Sequence, residues 1–330
     1  MTRVLIALAP ASIFGVVLYG LPALVTIAVS VAAAELAEAL FRKIIRREMR
    51  NRDLSAAVTG LLLALVLPPG TPWWITALGA IFAIVVVKEF FGGLGANVFN
   101  PALAGRAFLL MSFPVALTTW PAPRPFFPVS GAVVDAMTTA TPLGMIKLGS
   151  TLTDVSAGLA AGGLAGSSSY VSTLGSLFLG IQGGCTGETS AVLILIGFIY
   201  LLATGTIDWR APVAMIVSAA VFTFIFGGDP LVAVLSGGLF FGAVFMVTDY
   251  TTAPITAAGK LIFGAGTGLI VVLIRNWGNY PEGVAYSILI MNAVTPFLNR
   301  LLQKKYGYVP ARKDSGAKPA AEPAAKGRTK

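Results

Sequence analysis

The sequence predicts an all-α polytopic membrane protein with about ten transmembrane helices and several broken or re-entrant segments. Of its 330 residues, 56% are hydrophobic and only 11% are charged, whereas a soluble domain has about 25% charged residues. The apolar residues fall into segments that approach the roughly 20 residues a helix needs to cross a bilayer. The basic residues gather in the linkers on one side of these segments.

The first apolar stretch, residues 4–41, predicts a helical hairpin. Gly20-Leu21-Pro22 divides it, and Glu35 and Glu38 are its only charges. No Ala-x-Ala-like site followed by a polar mature domain appears here, so we interpret the first arm as a span and not as a signal peptide. A basic linker at 42–53 follows. Eight further apolar segments are predicted at 54–67, 73–87, 107–120, 190–203, 212–226, 231–247, 261–274 and 284–302.

Residues 88–106 are too apolar for an ordinary loop and too rich in Gly, Asn and Pro for a continuous helix. This composition favours a broken or re-entrant segment that is buried in protein. Pro101–Arg106 and Pro254–Lys260 share an order of Pro, small residues, Gly and a base. We interpret that order as a trace of an internal duplication, as found in transporters.

Three regions follow from this division. Residues 1–310 form the predicted transmembrane domain, and 121–184 is its longest part without a clear span. Residues 311–330 are mostly Ala, Pro, Lys, Arg and Gly and predict a disordered tail.

The distribution of basic residues predicts the topology. With alternating spans and a cytoplasmic Arg3, all but three of the 23 basic residues fall on the cytoplasmic side, the exceptions being Arg124, Lys147 and Arg275. Both termini are therefore predicted to be cytoplasmic and 121–184 extracytoplasmic. The net charge of +9 then faces the cytoplasm and the anionic lipid bilayer, and it gives no reason to expect a nucleic-acid partner.

The residue types that are scarce exclude several chemistries. The chain has one cysteine, Cys185, and no histidine. Structural zinc sites and iron–sulfur clusters each need about four suitable ligands, and a Ser–His or Cys–His triad needs its base. We predict no metal site and no catalytic residue, so any redox carrier is organic or lies on a partner. Cys185 itself is interpreted as a free small residue.

A cluster of threonines follows Asp135 in the extracytoplasmic region: Thr138, Thr139 and Thr141, with Ala140 between the last two. A threonine hydroxyl is a weak nucleophile without a base, so a catalytic role is excluded. Two interpretations remain from the residues alone. The segment is either a polar turn, with Thr141 held extended by Pro142, or an attachment point for a modifying enzyme.

Five blocks of the sequence resemble one family of membrane electron-transfer proteins. The threonine segment is similar to the Asp-x-x-Ser/Thr-x-Ala-Thr motif at which this family carries FMN. The family comprises the D subunit of the Rnf ferredoxin:NAD electron-transport complex and the B subunit of the Na⁺-translocating NADH:quinone reductase. The other similar blocks lie at 91–108, 187–191, 248–254 and 281–293.

The resemblance implies a covalent cofactor and its site. Thr141 would carry FMN through a phosphoester, with Asp135, Thr138, Thr139 and Ala140 forming the rest of the attachment segment. Thr139 departs from the glycine usual in the family, which removes backbone freedom at that position. A second, non-covalently bound riboflavin is also allowed, although the sequence identifies no ligands for it.

The resemblance also implies partners and a location. The expected partners are the flavin and iron–sulfur subunits of the Rnf complex, with a flavin transferase during maturation. The expected location is a bacterial or archaeal plasma (inner) membrane. The complex would couple electron transfer from ferredoxin to NAD⁺ with translocation of Na⁺ or H⁺, and this chain would not be active alone.

Two alternatives stay open at this point. The B subunit of the quinone reductase has the same fold and another electron acceptor, but it usually carries a longer N-terminal extension. The second alternative is a flavin-free channel or secondary transporter, in which the broken segments form the substrate path and the threonine segment is a plain turn.

Acidic residues near the spans are candidates for an ion path, because charges inside a membrane are costly and often functional. We retain Glu35 and Glu188 as candidates. Glu38 lies one turn from the basic linker, and we interpret it as an interfacial charge that snorkels or pairs with Arg42.

Two basic residues, Arg106 and Lys260, each follow a glycine in a broken segment. The topology predicts both on the cytoplasmic side, opposite to Thr141. We therefore interpret them as charges that fix the topology and do not assign them to the covalent flavin.

Overall fold

The computed structural model describes residues 1–47, 53–121, 141–147, 170–180, 183–188, 190–278 and 282–302. These ranges contain α-helices and two π-helical segments, and no β-strand occurs within them. The predicted all-α class is therefore confirmed. The helices, in chain order, are α1 Thr2–Tyr19, α2 Leu21–Ile44, α3 Ser55–Leu65, α4 Trp73–Phe82, α5 Pro101–Ser112, α6 Pro114–Thr118, α7 Pro142–Lys147, α8 Tyr170–Leu179, α9 Ala191–Ala203, α10 Arg210–Ile225, α11 Pro230–Leu235, α12 Leu239–Phe241, α13 Ala257–Trp277 and α14 Val284–Leu302. The π-helical segments are π1 Ala83–Glu89 and π2 Gly242–Met246.

Three of the described helices, α1, α2 and α13, are long and apolar enough to cross a membrane. Several others, such as α3, are apolar but shorter. The total of ten spans stays a prediction.

The first two helices form the predicted hairpin. Gly20 ends α1 with φ +71°, a backbone conformation that favours glycine. The α2 helix packs closely against α3, since a Cβ at Gly60 would lie only 2.8 Å from the Ser30 carbonyl oxygen. The Ser30 hydroxyl donates to the Gly60 carbonyl at 2.6 Å across this contact.

Two predicted spans are interrupted in the structure. The span predicted at 107–120 begins earlier, at Pro101, and is interrupted at Phe113, directly before Pro114. The residue before a proline is disfavoured in a helix, which explains the interruption. The span predicted at 231–247 is divided between α11 and α12, with Ser236 extended and Gly237 at φ +67°.

The two halves of the molecule repeat one order of elements. In each half a π-helical segment leads into an irregular segment, and a helix with a side-chain N-cap follows. Asn100 caps α5 and Thr256 caps α13. The two irregular segments touch, because Asn97 Nδ2 donates to Thr251 Oγ1 at 3.0 Å. This arrangement supports the internal duplication expected from the sequence.

The predicted break before α5 is confirmed, since residues 90–99 form turns and bends. The expected burial of this segment is wrong, because most of these residues, Phe90 and Phe91 among them, lie exposed on the surface of this chain. Gly92, Gly93 and Gly95 all have φ values between +93° and +118°, so glycine is required for this path of the chain. Residues 101–106, also assigned to the broken segment, belong instead to α5.

Helices α10 and α13 form a close-packed pair. Cβ atoms at Gly264 and Gly268 would approach the carbonyl oxygens of Ala211 and Met215 to 2.3 and 2.5 Å. Small residues at such a contact let two helix backbones approach each other, as is common between membrane helices.

Candidate functional site

Helix α1 separates two polar regions of the molecule. Its 18 residues span about 27 Å at 1.5 Å per residue. At its N-terminal end, Met1 and Val4 border a cavity of about 90 Å³ that is also lined by Lys88, Asn97 and Asp249. At its other end, the Tyr19 hydroxyl donates to the Gly184 carbonyl at 3.4 Å.

Residues 183–188 fill the space beyond the short helix α3. The backbone N–H groups of Thr186 and Gly187 donate to the carbonyls of Leu67 and Leu65 at 3.2 and 2.7 Å. Helix α1 approaches so closely that a Cβ at Gly15 would lie 2.3 Å from the Thr186 carbonyl oxygen. These backbone contacts fix the position of the next residue, Glu188.

Three charged side chains from distant parts of the sequence meet here, and we call them the Arg106 cluster: Arg106, Glu188 and Glu282. Arg106 Nη1 donates to Glu188 Oε1 at 3.3 Å, and Nη2 donates to Glu282 Oε2 at 2.5 Å. The backbone N–H of Gly238 also donates to Glu282, at 3.1 Å. Arg106 and Glu188 are buried. Their pairing offsets the free-energy cost of removing each charge from water.

Thr141 lies beside the Arg106 cluster. Its hydroxyl accepts a hydrogen bond from the Gly144 backbone N–H at 3.1 Å, at the start of α7. Thr141, Glu188 and Glu282 line one cavity together with glycines that include Gly237. The cavity volume is about 20 Å³, room for about one water molecule.

The prediction for Arg106 was wrong. It lies inside α5, more than one turn from the helix start, and reaches two carboxylates that share a cavity with Thr141. The predicted topology placed Arg106 at the cytoplasmic end of the broken segment, because the next span was expected to begin at Ala107. Lys260, by contrast, lies away from Thr141 and pairs with Asp208 at 3.0 Å.

Of the predicted attachment segment, only Thr141 is among the described residues. Asp135, Thr138, Thr139 and Ala140 lie outside them, as does the tail at 311–330. The region 121–184, predicted to be extracytoplasmic, is described in part, and Tyr170–Leu179 in it is helical. The Lys147 side chain, at the end of α7, donates to the carbonyl of Gly278, which directly follows α13.

Cys185 is fully buried, and its interpretation as a free small residue stays a prediction. Its thiol donates to the Val66 carbonyl at 3.0 Å, and Arg106 Nη2 lies 3.5 Å from its sulfur. These contacts give the thiol a packing role between α3 and the Arg106 cluster.

A second buried group of charges, the Lys88 network, lies near the cavity at the N-terminal end of α1. It comprises Glu38, Arg42, Lys88 and Glu89. Glu38 binds Arg42 at 3.1 Å and Lys88 at 3.2 Å, and Arg42 also binds Glu89 at 2.8 Å. Lys88 Nζ donates to Ser55 Oγ at 2.6 Å.

The Lys88 network changes the interpretation of Glu38. Its expected pairing with Arg42 is confirmed, and because its side chain is only 2% exposed, it does not snorkel into solvent. The sequence predicted Lys88 as the first residue of the broken segment 88–106 and indicated no ion-pair partner for it. The consecutive charges Lys88-Glu89 at the end of an apolar run were the available signal, and π1 orients both side chains into the protein.

The ion-path candidates have different surroundings. Glu188 is buried and paired with Arg106, whereas Glu35 is half-buried on α2. A third cavity, of about 220 Å³, lies beside Asp249 and Lys260. An ion path through Glu35 or Glu188 stays a prediction.

The fold and the site together define a helical membrane protein with two buried charge clusters, one near each end of α1. The chain belongs to the NQR2, RnfD, RnfE family, which matches residues 1–307. This finding confirms the family expected from the five sequence blocks.

Named relatives match nearly the whole chain. The D subunit of the Na⁺-translocating ferredoxin:NAD⁺ oxidoreductase complex of Acetobacterium woodii is 42% identical over 320 residues, which cover 96% of this chain and 93% of the relative. The D subunit of the proton-translocating ferredoxin:NAD⁺ oxidoreductase complex of Clostridium ljungdahlii is 42% identical over 322 residues, or 93% and 91% of the two chains. The D subunit of the ion-translocating oxidoreductase complex of Stutzerimonas stutzeri is 38% identical over 330 residues, or 93% and 91%.

Proposed function

We propose that this chain is the D subunit of an ion-translocating ferredoxin:NAD⁺ oxidoreductase complex. The observation that carries the proposal is the 42% identity to two relatives of that name, which extends over at least 93% of this chain. The absence of histidine and the single buried cysteine agree with a protein whose redox carrier is organic. The relatives' names include both a Na⁺ and a proton translocator, so the coupling ion is Na⁺ or H⁺.

We further propose that Thr141 carries FMN as a phosphoester, in the attachment segment formed with Asp135, Thr138, Thr139 and Ala140. The half-buried Thr141 hydroxyl at the cavity is compatible with this role, because an ester oxygen can still accept the Gly144 N–H. The cavity of about 20 Å³ is too small for an isoalloxazine ring, so the ring would lie outside it. The flavin supplies the electron-transfer chemistry when bound, and the protein supplies its position and electrostatic surroundings.

The remaining proposals concern the assembly. Thr141 and its neighbours would face the extracytoplasmic side, with both termini in the cytoplasm, in the plasma membrane of a bacterium or archaeon. The partners would be the flavin and iron–sulfur subunits of the complex and a flavin transferase. Riboflavin as a second, non-covalent cofactor remains a proposal without assigned ligands.

The first prediction tests the covalent flavin. The full chain is produced in cells that express the flavin transferase, purified, denatured and separated on a gel. We expect a fluorescent band for the wild-type protein and a dark band for Thr141→Ala, because the substitution removes the oxygen that forms the ester.

Thr119→Ala is the matched control, since Thr119 is an exposed threonine outside the motif whose hydroxyl donates to the Val115 carbonyl. Its band should stay fluorescent. A dark wild-type band would overturn the covalent flavin and favour the channel or transporter alternative. Fluorescence retained in Thr141→Ala would move the attachment to another residue.

A second prediction tests the topology. Lys43 and Lys147 are both exposed side chains, and the proposed topology places them on opposite sides of the membrane. A membrane-impermeant amine reagent applied to intact cells should modify Lys147 and spare Lys43, as read by peptide mass spectrometry. Both should react in opened membranes, and modification of Lys43 in intact cells would reverse the proposed orientation.

A further inference from the structure

The exposed face of α2 changes from apolar to basic where the helix ends. Leu36, Leu40 and Ile44 are spaced four residues apart, so they share one face of the helix, and each is between 61% and 70% exposed. Because α2 is long and apolar enough to cross a membrane, an exposed apolar face on it is a surface for lipid acyl chains. Lys43, in the last turn of α2, is the first exposed cation after this face.

Two arginines follow Lys43 in the turn that ends α2. The Arg46 N–H donates to the Lys43 carbonyl at 3.3 Å, and the Arg47 N–H donates to the Arg42 carbonyl at 2.9 Å. These two bonds form a Schellman motif, which folds the chain back against the last helical turn. Arg46 has φ +59°, at a position that such motifs usually give to glycine. Lys43, Arg46 and Arg47 are all exposed, and we call them the basic patch.

Exposed aromatic side chains lie beside the basic patch. The centroid of the Phe90 ring lies 5.5 Å from that of Phe41 on α2, and Arg47 Nη1 donates to the Gly92 carbonyl at 3.4 Å. Phe90 and Phe91 are 66% and 49% exposed. Apolar side chains next to cationic heads match the boundary between acyl chains and phospholipid headgroups.

The charge of the basic patch is not compensated within the part of the chain that the structure describes. None of its three cations forms an ion pair with a described residue. The neighbouring Arg42 is different, because it pairs with the buried carboxylates of Glu38 and Glu89. The patch therefore presents a positive charge that an anion can neutralise.

We propose that the basic patch binds the headgroup of an anionic phospholipid, whose acyl chains lie along Leu36, Leu40 and Ile44. A cluster of basic residues directly after a transmembrane helix attracts anionic headgroups. The patch continues the exposed apolar face of α2, and this continuity favours a phospholipid over a soluble anion or an acidic protein surface. The inference does not depend on the proposed flavin at Thr141.

The test titrates the purified, delipidated full chain with phosphatidylglycerol or phosphatidylcholine and measures bound lipid by native mass spectrometry. We expect anionic phosphatidylglycerol to bind about tenfold more tightly than zwitterionic phosphatidylcholine. The triple variant Lys43→Gln, Arg46→Asn, Arg47→Gln should lose affinity for phosphatidylglycerol on the order of 100-fold, since each basic residue contributes roughly fivefold. Asn replaces Arg46 because it tolerates a positive φ.

A second triple variant is the matched control: Arg3→Gln, Lys147→Gln, Arg300→Gln. These three residues are also exposed, so the control removes the same charge from other parts of the surface. It should bind phosphatidylglycerol as the wild-type chain does.

Four outcomes would overturn the inference. They are equal affinity for the two lipids, unchanged affinity in the basic-patch variant, an equal loss in the control, and loss of complex assembly with lipid binding intact. The first shows no preference for anionic headgroups and the third a response to net charge alone, whereas the last assigns the patch to a protein partner. If the triple variant does not fold, Lys43→Gln and Arg46→Asn alone should each lower the affinity about fivefold, and unchanged affinity in both contradicts the inference.

Discussion

The Arg106 cluster and the Lys88 network are both buried groups of charges, but they are built differently. The Lys88 network has two cations and two carboxylates, and its ion pairs form a continuous chain from Lys88 to Glu89. The Arg106 cluster has one cation that is shared by two carboxylates. The first group compensates its charge through several ion pairs, whereas both ion pairs of the second are made by Arg106, with the Arg275 guanidinium as a further cation beside Gly237.

This difference matters because burying an unpaired charge costs several kcal/mol. Loss of Lys88 leaves Glu38 with Arg42, whereas loss of Arg106 leaves both of its carboxylates without an ion-pair partner among the described residues. The comparison therefore indicates a structural role for the Lys88 network. Of the two groups, the Arg106 cluster is the one that lies beside Thr141.

The largest expected effect follows from Arg106→Met, which breaks the Arg106 cluster at its only cation. We expect a loss of about 3–5 kcal/mol in the free energy of unfolding, the range for removing one partner of a buried ion pair. Denaturant-induced unfolding of the purified protein in detergent measures it. The triple variant Arg106→Met, Glu188→Gln, Glu282→Gln should recover part of the loss, because neither carboxylate is left unpaired, while the neighbouring Arg275 guanidinium keeps its hydrogen bonds to the Ala233 and Ser236 carbonyls.

Lys88→Met is the matched variant in the Lys88 network. We expect a smaller loss, about 2 kcal/mol, since the substitution removes hydrogen bonds to a charged donor while Glu38 keeps its contact with Arg42. An Arg106→Met protein as stable as Lys88→Met would contradict the proposed difference between the two groups.

The smallest effect is expected at Asp208, whose pair with Lys260 is partly exposed. Burial raises the pKa of this carboxyl, but the Arg210 N–H and the Lys260 ammonium outweigh it, so the pKa lies below its ordinary value. A depressed pKa stabilises the folded state above the unfolded pKa of about 4, and that stability is lost as the pH falls through the folded pKa.

Asp208→Asn should therefore cost less than about 1 kcal/mol at neutral pH. The difference in thermal unfolding between wild type and variant should shrink as the pH falls below about 4. A difference that grew on acidification would contradict the sign of this argument.

Much of the fold could be predicted because it depends on local sequence. The apolar run at 284–302 predicted the bounds of α14, and the Gly20-Leu21-Pro22 sequence predicted the turn of the first hairpin. The pairing of Glu38 with Arg42 was also predictable, since residues four apart share one face of a helix. The division at Gly237 was not foreseen, because the run on both sides of it is apolar.

By itself, the sequence determined the helical membrane class, the family and the threonine that the family's motif identifies. Only the tertiary structure decided where Arg106 lies, since its partners Glu188 and Glu282 are 82 and 176 residues away in sequence. The physical reason is that helical periodicity is a property of neighbouring residues. Compensation of a buried charge depends instead on which distant segments the packing brings together, and here it brought two carboxylates to Arg106 beside Thr141.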